Sequence, residues 1–365
     1  MTVCFFIATL DNSAGTERAT TTIANELSNR GYDVIIISWS GGTTSFFQVN
    51  DAVKCYSLYS IRGINIYSKY LPSLVKYKRL LKKIKPDVVI DVCVPLSLLT
   101  IPATAFSKIK NISWEHFNAN VSWNIYTGKL SRWLVSKFST KVVVLTQADF
   151  EIYAERYNAG NIHIIANPVS IIVRHPSTLR TKNILAIGRL THQKGFDLLL
   201  QAWHKAIKEE ENLDEIIQWK LRIVGGGEDE QKLKQLSLDL NLNSSVQFIP
   251  PTKHIEQQFL EASLFVMSSR FEGLPLALVE AKAFGLPTIS YDCETGPREV
   301  ITHEVDGLLV EPENVTALAE AIKVLIKDPL KRRAYAANSL GKAKKYRLEE
   351  IIKRWDDLLL GISLA

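Results

Sequence analysis

The sequence predicts an α/β protein with two doubly wound parallel sheets, one in each half of the chain. Its 365 residues exceed what one hydrophobic core usually serves and suit two domains. In both halves, short Val/Ile-rich runs alternate with helical segments, which is typical of parallel strands covered by helices on both faces. We therefore expect a first domain over 1–170 and a second over 171–345. The last segment, 346–365, is expected to form a helix that can cross back to the first domain.

The first half opens with a strand and continues with alternating elements. The apolar run 3–10 is followed by a loop at 11–20 that contains Gly15, and then by a helix that ends at Gly31. Further strands of this half are expected at 32–38, 86–94, 111–116 and 141–146, and the stretch 163–169 closes the unit.

The second half repeats this order after a polar linker at 174–182. Its strands are expected at 183–190, 219–227, 245–250, 264–269 and 287–292. Because ligands of open α/β sheets bind at the carboxyl ends of the strands, we expect the two domains to present these edges to one cleft. Neither half carries Gly-x-Gly-x-x-Gly after its first strand, which disfavours a nicotinamide enzyme.

The net charge of +6 is concentrated in the first half of the chain, where residues 1–168 hold 18 Lys and Arg against 11 Asp and Glu. Much of this excess lies in 67–86, where basic residues alternate with Tyr and Leu. The segment is either a solvated helix face or a patch that lies on an anionic membrane surface. A nucleic-acid partner is disfavoured, because no nucleic-acid-binding motif accompanies the patch.

The four cysteines are far apart and have no paired spacing, which favours reduced thiols in a cytosolic protein over disulfides or a zinc site. The apolar start has no basic region before it and no cleavage signal after it, so a strand is a better interpretation than a signal peptide. No run approaches the ~18 apolar residues that would span a bilayer.

The stretch 268–287, SSRFEGLPLALVEAKAFGLP, predicts an anion site beside two carboxylates. It indicates a loop with Glu272, a helix with Pro275 in its first turn and Glu280 inside, and a helix end at Gly285. Free amides at the helix start would face an anion. Eight helical residues separate two groups by ~12 Å, whereas the carboxylates of a retaining hydrolase lie ~5–5.5 Å apart. The glutamates therefore suit two parts of one ligand, or they are simply exposed.

A second strand end supplies positive charge. Arg189 ends the strand 183–190, and Lys194 precedes a helix that starts near Phe196. Two cations in a strand-to-helix loop suit a diphosphate, to which each charge-assisted hydrogen bond could contribute ~1.5–3 kcal/mol. Taken alone, both residues could also be ordinary surface charges.

Four stretches occur in one order: GRLTHQKG, IVGGGED, RFEGLPLALVEAKAFGLPTIS and GPREVITHEVDGLLV. This set resembles the family 4 glycosyltransferases, which are retaining enzymes of the GT-B fold with two Rossmann-like domains. The resemblance covers essentially the whole chain and is strongest over 183–312. It implies an N-terminal acceptor-binding domain and a C-terminal domain that binds a nucleotide sugar.

The resemblance also implies roles for individual residues. Glu272 would bond hydroxyls of the donor sugar, Glu280 the ribose, and Arg189 with Lys194 the diphosphate. His116, at the end of the strand 111–116, would lie near the reacting carbon. The remaining donor-binding positions would be Gly15, Gly225, Gly273, Leu274, Pro275 and Leu276, with base contacts from Pro251 and Thr252 in 247–254.

The implied reaction transfers a hexose or N-acetylhexosamine from a UDP-sugar with retention, and 292–301 hints at galactose-, N-acetylgalactosamine- or glucose-type donors. The acceptor would be a lipid-linked oligosaccharide or lipopolysaccharide, met by a peripheral enzyme at the inner face of the cytoplasmic membrane. No Asp-x-Asp occurs, so neither a metal nor another cofactor is expected. A UDP-sugar 2-epimerase and a non-catalytic sugar-nucleotide binding protein are the alternatives.

Overall fold

A computed structural model describes residues 1–64, 68–120, 125–208, 216, 218–252 and 254–363. The chain forms two compact units. Unit 1 comprises Met1–Ser170 and Leu348–Ala365, and unit 2 comprises Ile171–Arg347. Three parts of the predicted segments lie outside the described residues: Tyr67 of the basic segment, Lys253 of the base-binding stretch, and the last two residues of the C-terminal helix.

Unit 1 is built on a seven-stranded sheet in which every pair of neighbouring strands is parallel. Its order is β3-β2-β1-β4-β5-β6-β7, so the direction of the strand order reverses between β1 and β4. The strands are β1 (Thr2–Ile7), β2 (Asp33–Ser38), β3 (Lys54–Ser57), β4 (Val88–Val92), β5 (Lys110–Trp114), β6 (Lys141–Val144) and β7 (Ile162–Ile164).

The helices of unit 1 cover this sheet and bury its apolar strands. The strand β1 is almost wholly buried, as a strand covered on both faces must be. The first helix begins at Gly15, so the predicted loop 11–20 is wrong in its second half. The described helices are α1 (Gly15–Asn29), α2 (Tyr70–Ile84), α3 (Ser97–Thr104), α4 (Ile125–Phe138) and α5 (Gln147–Tyr157).

Unit 2 is built on a six-stranded parallel sheet. Its order, β10-β9-β8-β11-β12-β13, is that of a doubly wound dinucleotide-type fold, with the switch point between β8 and β11. The strands are β8 (Asn183–Ile187), β9 (Lys220–Val224), β10 (Val246–Ile249), β11 (Leu264–Met267), β12 (Thr288–Tyr291) and β13 (Gly307–Val310).

The helices of unit 2 enclose an apolar core that includes Trp203, Phe196 and Tyr291. The first of them begins at Phe196, as the sequence predicts. Those described are α6 (Phe196–Lys208), α7 (Glu230–Asp239), α8 (Ile255–Leu260), α9 (Leu276–Ala283), α10 (Pro297–Val300), α11 (Val315–Lys327) and α12 (Pro329–Ala343).

The stretch 174–182 is not a free linker, which corrects the sequence interpretation. The Ser177 amide donates to the Phe284 carbonyl at 2.8 Å, and the Ser177 hydroxyl donates to the Ala262 carbonyl at 2.6 Å. The Thr181 hydroxyl donates to the carbonyl of Glu261 at 2.6 Å. Its polar side chains bind backbone groups of unit 2, so the stretch is part of that unit.

A final helix, α13 (Leu348–Ser363), packs in unit 1, although all of unit 2 precedes it in sequence. Its Trp355 is fully buried, and the Trp355 and Trp114 ring centroids lie 5.0 Å apart in an edge-to-face arrangement. None of the described helices is both long enough and apolar enough to cross a lipid bilayer.

Candidate functional site

Two loops meet at the switch point of unit 2, one after β8 and one after β11. The Ser268 hydroxyl donates to the Lys194 carbonyl at 2.9 Å, and the Arg270 amide donates to the Gln193 carbonyl at 2.8 Å. The Gln193 side chain returns a bond to the Phe271 carbonyl at 3.1 Å. These bonds join residues 74 or more positions apart in sequence, so each loop fixes the position of the other.

Arg270 strengthens this junction, and the sequence analysis missed it. Its guanidinium binds both carboxylate oxygens of Asp197 at 2.9 and 2.7 Å and also Glu313 at 3.0 Å. The hydrogen bond to Asp197 is the main reason that the Arg270 pKa is raised. The signal in the sequence was an arginine directly after the buried run 264–269. Its structural role is to tie the start of α6 to the loop that carries Glu272.

The junction brings together two of the predicted site residues. The Lys194 ammonium lies 2.5 Å from Oε1 of Glu272, whose side chain is only 7% exposed. Gly188 lies under the lysine, since a Cβ at this position would be 3.2 Å from the Lys194 side-chain carbons. A carboxylate buried to this degree needs a counter-charge. Lys194 supplies it, and the lysine side chain is itself 21% exposed.

The helix α9 begins immediately after this pair. Pro275 is its N-cap and not a residue of the first turn, which corrects the predicted helix start by one position. The Leu278 and Val279 amides bond to the Pro275 carbonyl, so the amides of Leu276 and Ala277 are the helix donors without an intrahelical acceptor. They form the positive end of the helix dipole.

The second predicted carboxylate, Glu280, lies in α9 and is 3% exposed. Helix α9 ends at Ala283, and Gly285 has a left-handed backbone with φ of +70°, as its predicted place at the helix C-terminus requires.

A turn at 293–296 contacts the backbone of the loop that carries Glu272. The Thr295 hydroxyl donates to the Glu272 carbonyl at 2.5 Å. Gly296 has φ of +94°, and a Cβ there would lie 2.0 Å from the Gly273 carbonyl oxygen. Burial and the nearby charge of Glu272 raise the pKa of the Cys293 thiol to about 12. Part of the stretch 292–301, which the sequence analysis interprets as a hint about the donor, therefore packs against the loop that carries Glu272.

Gly225 and Pro251 lie beside the loop after β8. Gly225 has φ of +153°, and a Cβ there would come within 1.9 Å of the Gly188 carbonyl oxygen. Pro251 lies against Gly226, with its Cγ 3.3 Å from a Cβ built there. Arg189 is exposed and forms no ion pair with any described residue.

Thr252 follows Pro251, and its hydroxyl accepts from the His254 amide at 3.0 Å.

Unit 1 holds the other two predicted residues at the carboxyl edge of its own sheet. Gly15 is the first residue of α1, after β1, and His116 follows β5 by two positions. His116 is 9% exposed, and burial lowers its pKa to about 3, so the imidazole is neutral at physiological pH. Its Nε2 has no hydrogen-bond partner among the described residues, and its ring centroid lies 4.1 Å from that of Trp114.

A buried polar network fixes the segment that carries His116, and the sequence analysis did not predict it. Oε2 of Glu115 accepts from Arg132 Nε at 2.9 Å and from the Tyr153 hydroxyl at 3.0 Å. Arg132 also donates to the Asn118 carbonyl at 3.2 Å. The partners come from α4 and α5, far apart in sequence, so no short motif could have revealed them.

Two protein-family models match this chain, and the boundary between their matches coincides with the boundary between unit 1 and unit 2. Residues 13–171 match the family model for Glycosyltransferase Family 4, and residues 171–341 match the one for Glycosyl transferases group 1.

Two relatives align along their whole length. A protein of Haemophilus influenzae described as an uncharacterized glycosyltransferase is 33% identical over 356 residues, with 97% of this chain and 99% of that one covered. An N-acetyl-D-galactosaminyltransferase of Campylobacter jejuni, named for an undecaprenol-diphosphate-linked GalNAc glycan, is 30% identical over 372 residues, with 100% of both chains covered.

Solved structures share the fold. A mutant of TarM from S. aureus, solved with fondaparinux, α-GlcNAc-glycerol and UDP, superposes with a TM-score of 0.81 at 15% identity and covers 98% of this chain and 99% of that one. HepE of Anabaena with UDP-glucose gives 0.78 at 18% identity, with 98% and 99% covered. With its two parallel-sheet units, its two family matches and its full-length relatives, the chain belongs to the glycosyltransferases of the GT-B fold.

Proposed function

We propose that this protein is a retaining glycosyltransferase that moves a hexose or N-acetylhexosamine from a UDP-sugar to a lipid-linked or lipopolysaccharide-type glycan and forms an α-glycosidic bond. The observation that carries this proposal is the contact of 2.5 Å between Lys194 and Glu272 at the switch point of unit 2. The contact joins a cation and a carboxylate just before the start of α9, and doubly wound folds bind nucleotides at such a switch point, which supports the proposal.

The relatives support the chemical class of both substrates. A full-length relative acts on an undecaprenol-linked glycan by its name, and structural neighbours were solved with UDP or UDP-glucose. Bacterial surface-polysaccharide synthesis is therefore the proposed setting, at the inner face of the cytoplasmic membrane.

Each site residue has a proposed role. Glu272 accepts hydrogen bonds from hydroxyls of the donor sugar, and Glu280 binds the ribose. Arg189 and Lys194 bind the diphosphate, assisted by the backbone of 273–276, and they stabilise the charge that develops as it leaves. Lys194 has a second role that follows from the structure, because it also neutralises buried Glu272. The remaining proposed contacts are those of His116 and Gly15 in unit 1 and of Gly225, Pro251 and Thr252 in unit 2.

The proposed chemistry needs no carboxylate nucleophile. The bond between the sugar carbon and the diphosphate oxygen breaks, and the acceptor hydroxyl attacks from the same face. The departing phosphate takes the acceptor proton. Two protein cations serve the diphosphate, so we propose that transfer proceeds without a metal ion.

The proposal is tested by release of nucleoside diphosphate from a panel of UDP-, GDP- and ADP-sugars in excess EDTA, with and without bacterial glycolipid. We expect release from one UDP-sugar, stimulated by glycolipid and reduced at least ~100-fold in Glu272→Gln and Arg189→Ala. Lys232→Ala, an exposed lysine in α7, is the matched control and should retain full activity.

Two outcomes contradict the proposal. Interconversion of sugar nucleotides without release would identify a UDP-sugar 2-epimerase. Donor binding without turnover for any acceptor offered would favour a sugar-nucleotide binding protein. Loss of activity in EDTA that Mg²⁺ restores would overturn only the metal-independent step.

A further inference from the structure

A cavity of unit 1 lies at the opposite edge of the sheet from Gly15 and His116. It has a volume of about 870 Å³, and its lining includes Met1, Val88 and Lys110, which lie at the starts of β1, β4 and β5. This is the amino-terminal edge of the parallel sheet, whereas His116 follows the carboxyl end of β5. The groove therefore cannot be part of the site that contains His116.

The groove has a strongly basic rim. Five exposed lysines line it, and none of them forms an ion pair with a described residue. The one acidic residue of the lining, Asp87, already accepts a hydrogen bond of 2.7 Å from the Thr2 amide. The lysines are Lys78, Lys82, Lys85, Lys108 and Lys110. Such a rim attracts an anionic partner.

Exposed apolar side chains lie on the cavity lining and on α2, the helix that carries two of these lysines. Phe106 is fully exposed, and its backbone has φ of +63°, a conformation that is uncommon for an aromatic residue. Leu71 and Val75 on α2 are 69% and 48% exposed. They precede Lys78 and Lys82 at spacings of four, three and four residues, so all four share one face of α2.

We propose that this edge of unit 1, defined by Leu71, Val75, Lys78, Lys82, Phe106 and Lys108, is a docking surface for anionic phospholipid. The lysines bind headgroup phosphates, and Phe106 with the α2 side chains enters the boundary between headgroups and acyl chains. Exposed aliphatic and aromatic groups between lysines suit a lipid surface, where both kinds of side chain find a partner. Of this surface, the sequence analysis predicted only the α2 part.

The test uses the full chain and vesicles of phosphatidylcholine alone or with added phosphatidylglycerol, sedimented at low salt. We expect binding only to the anionic vesicles and a loss of about tenfold or more in Lys78→Glu/Lys82→Glu. Phe106→Gly should also weaken binding while leaving the melting temperature equal or higher, because glycine adopts positive φ without strain. If Phe106→Gly binds anionic vesicles more weakly but melts at the same or a higher temperature, Phe106 contacts lipid and is not needed for folding.

The matched control is Lys129→Glu/Lys137→Glu, which makes the same charge change on α4, where Trp133 is also exposed. If this control variant still binds anionic vesicles, the result supports the proposed docking surface. Equal loss in both double variants, equal binding to both vesicle types, or a preference for single-stranded nucleic acid over vesicles would overturn the proposal. UDP-sugar turnover with a water-soluble acceptor should be unchanged in all variants, so failure here is distinct from failure of the proposed transferase activity.

Discussion

At the scale of single residues, the contact between Lys194 and Glu272 neutralises a buried charge, and both residues also have a proposed role in chemistry. The carboxylate is buried, and its counter-ion comes from a loop 78 positions earlier in the sequence. The sequence predicted each residue separately from its place at a strand end. It could not predict their pairing, because that depends on the strand order that puts β8 beside β11.

Lys194→Met is expected to lower the free energy of unfolding by ~1–3 kcal/mol, because it leaves a buried carboxylate without its donor. The double variant Lys194→Met/Glu272→Gln should recover most of this stability but none of the lost UDP-sugar turnover. Urea unfolding and nucleoside diphosphate release measure the two effects. Recovery of activity in the double variant would show that neither the Lys194 charge nor the Glu272 charge is needed for turnover.

Asp91 in β4 provides a pH-dependent prediction. It is fully buried, and burial raises its pKa to about 8 although Thr100 donates a hydrogen bond to it. The folded state therefore holds a proton that the unfolded state releases near pH 4. This group's contribution to stability is complete below the unfolded pKa and is lost as pH rises toward 8, by up to ~1.4 kcal/mol per pH unit.

Asp91→Asn removes that titration while keeping the shape of the side chain. The variant should gain stability relative to the parent protein between pH 5 and pH 8, measured by urea unfolding across this range. A constant difference over the whole range would contradict the raised pKa of Asp91.

At the scale of elements, the loop after β9 depends on a close approach between two backbones. Gly225→Ala would place a methyl group within 1.9 Å of the Gly188 carbonyl oxygen at a backbone φ of +153°. We expect a loss of ~1–3 kcal/mol in unfolding free energy together with weaker UDP-sugar binding. Gly341→Ala in α12 is the control, since a Cβ there meets nothing within 4 Å, and it should add ~0.5–1 kcal/mol.

Thermal denaturation and calorimetric titration with the donor would measure both variants. If Gly225→Ala binds the donor as tightly as the parent protein does, this loop does not line the nucleotide site.

The elements predicted from the sequence were those with strong local signals. Val/Ile runs such as 86–94 and 141–146 correspond to β4 and β6. By contrast, β3 contains no Val or Ile and β13 begins with glycine, and neither strand was predicted. The start of α1 at Gly15 was missed because Thr and Gly are weak helix formers, and tertiary contact overrides that preference. Side-chain networks such as Glu115–Arg132–Tyr153 lie beyond sequence reasoning, since they depend on three packed elements.

For the whole molecule, the two-sheet fold and the family were both predictable, and the comparisons confirm them. The sequence analysis also expected the last helix to be able to cross back to the first domain, but the side chains that it contacts could not be predicted, because an amphipathic pattern does not specify them. The structure places Trp355 of this helix against Trp114, whose ring also contacts His116.

Trp355→Ala is therefore expected to destabilise unit 1 by ~3–5 kcal/mol through the cavity it leaves. In scanning calorimetry, we expect the transition of unit 1 to move to lower temperature while the transition of unit 2 stays in place. A shift of both transitions together would show that the units unfold as one.

The position of α13 also sets an order for events on the ribosome. Residues 171–347 are contiguous, so unit 2 can collapse as soon as its own residues have emerged. Unit 1 cannot be completed at that stage, because the helix that carries Trp355 is synthesised after all of unit 2. The nascent chain thus completes its second unit before its first, and the segment around His116 acquires its last neighbour only then.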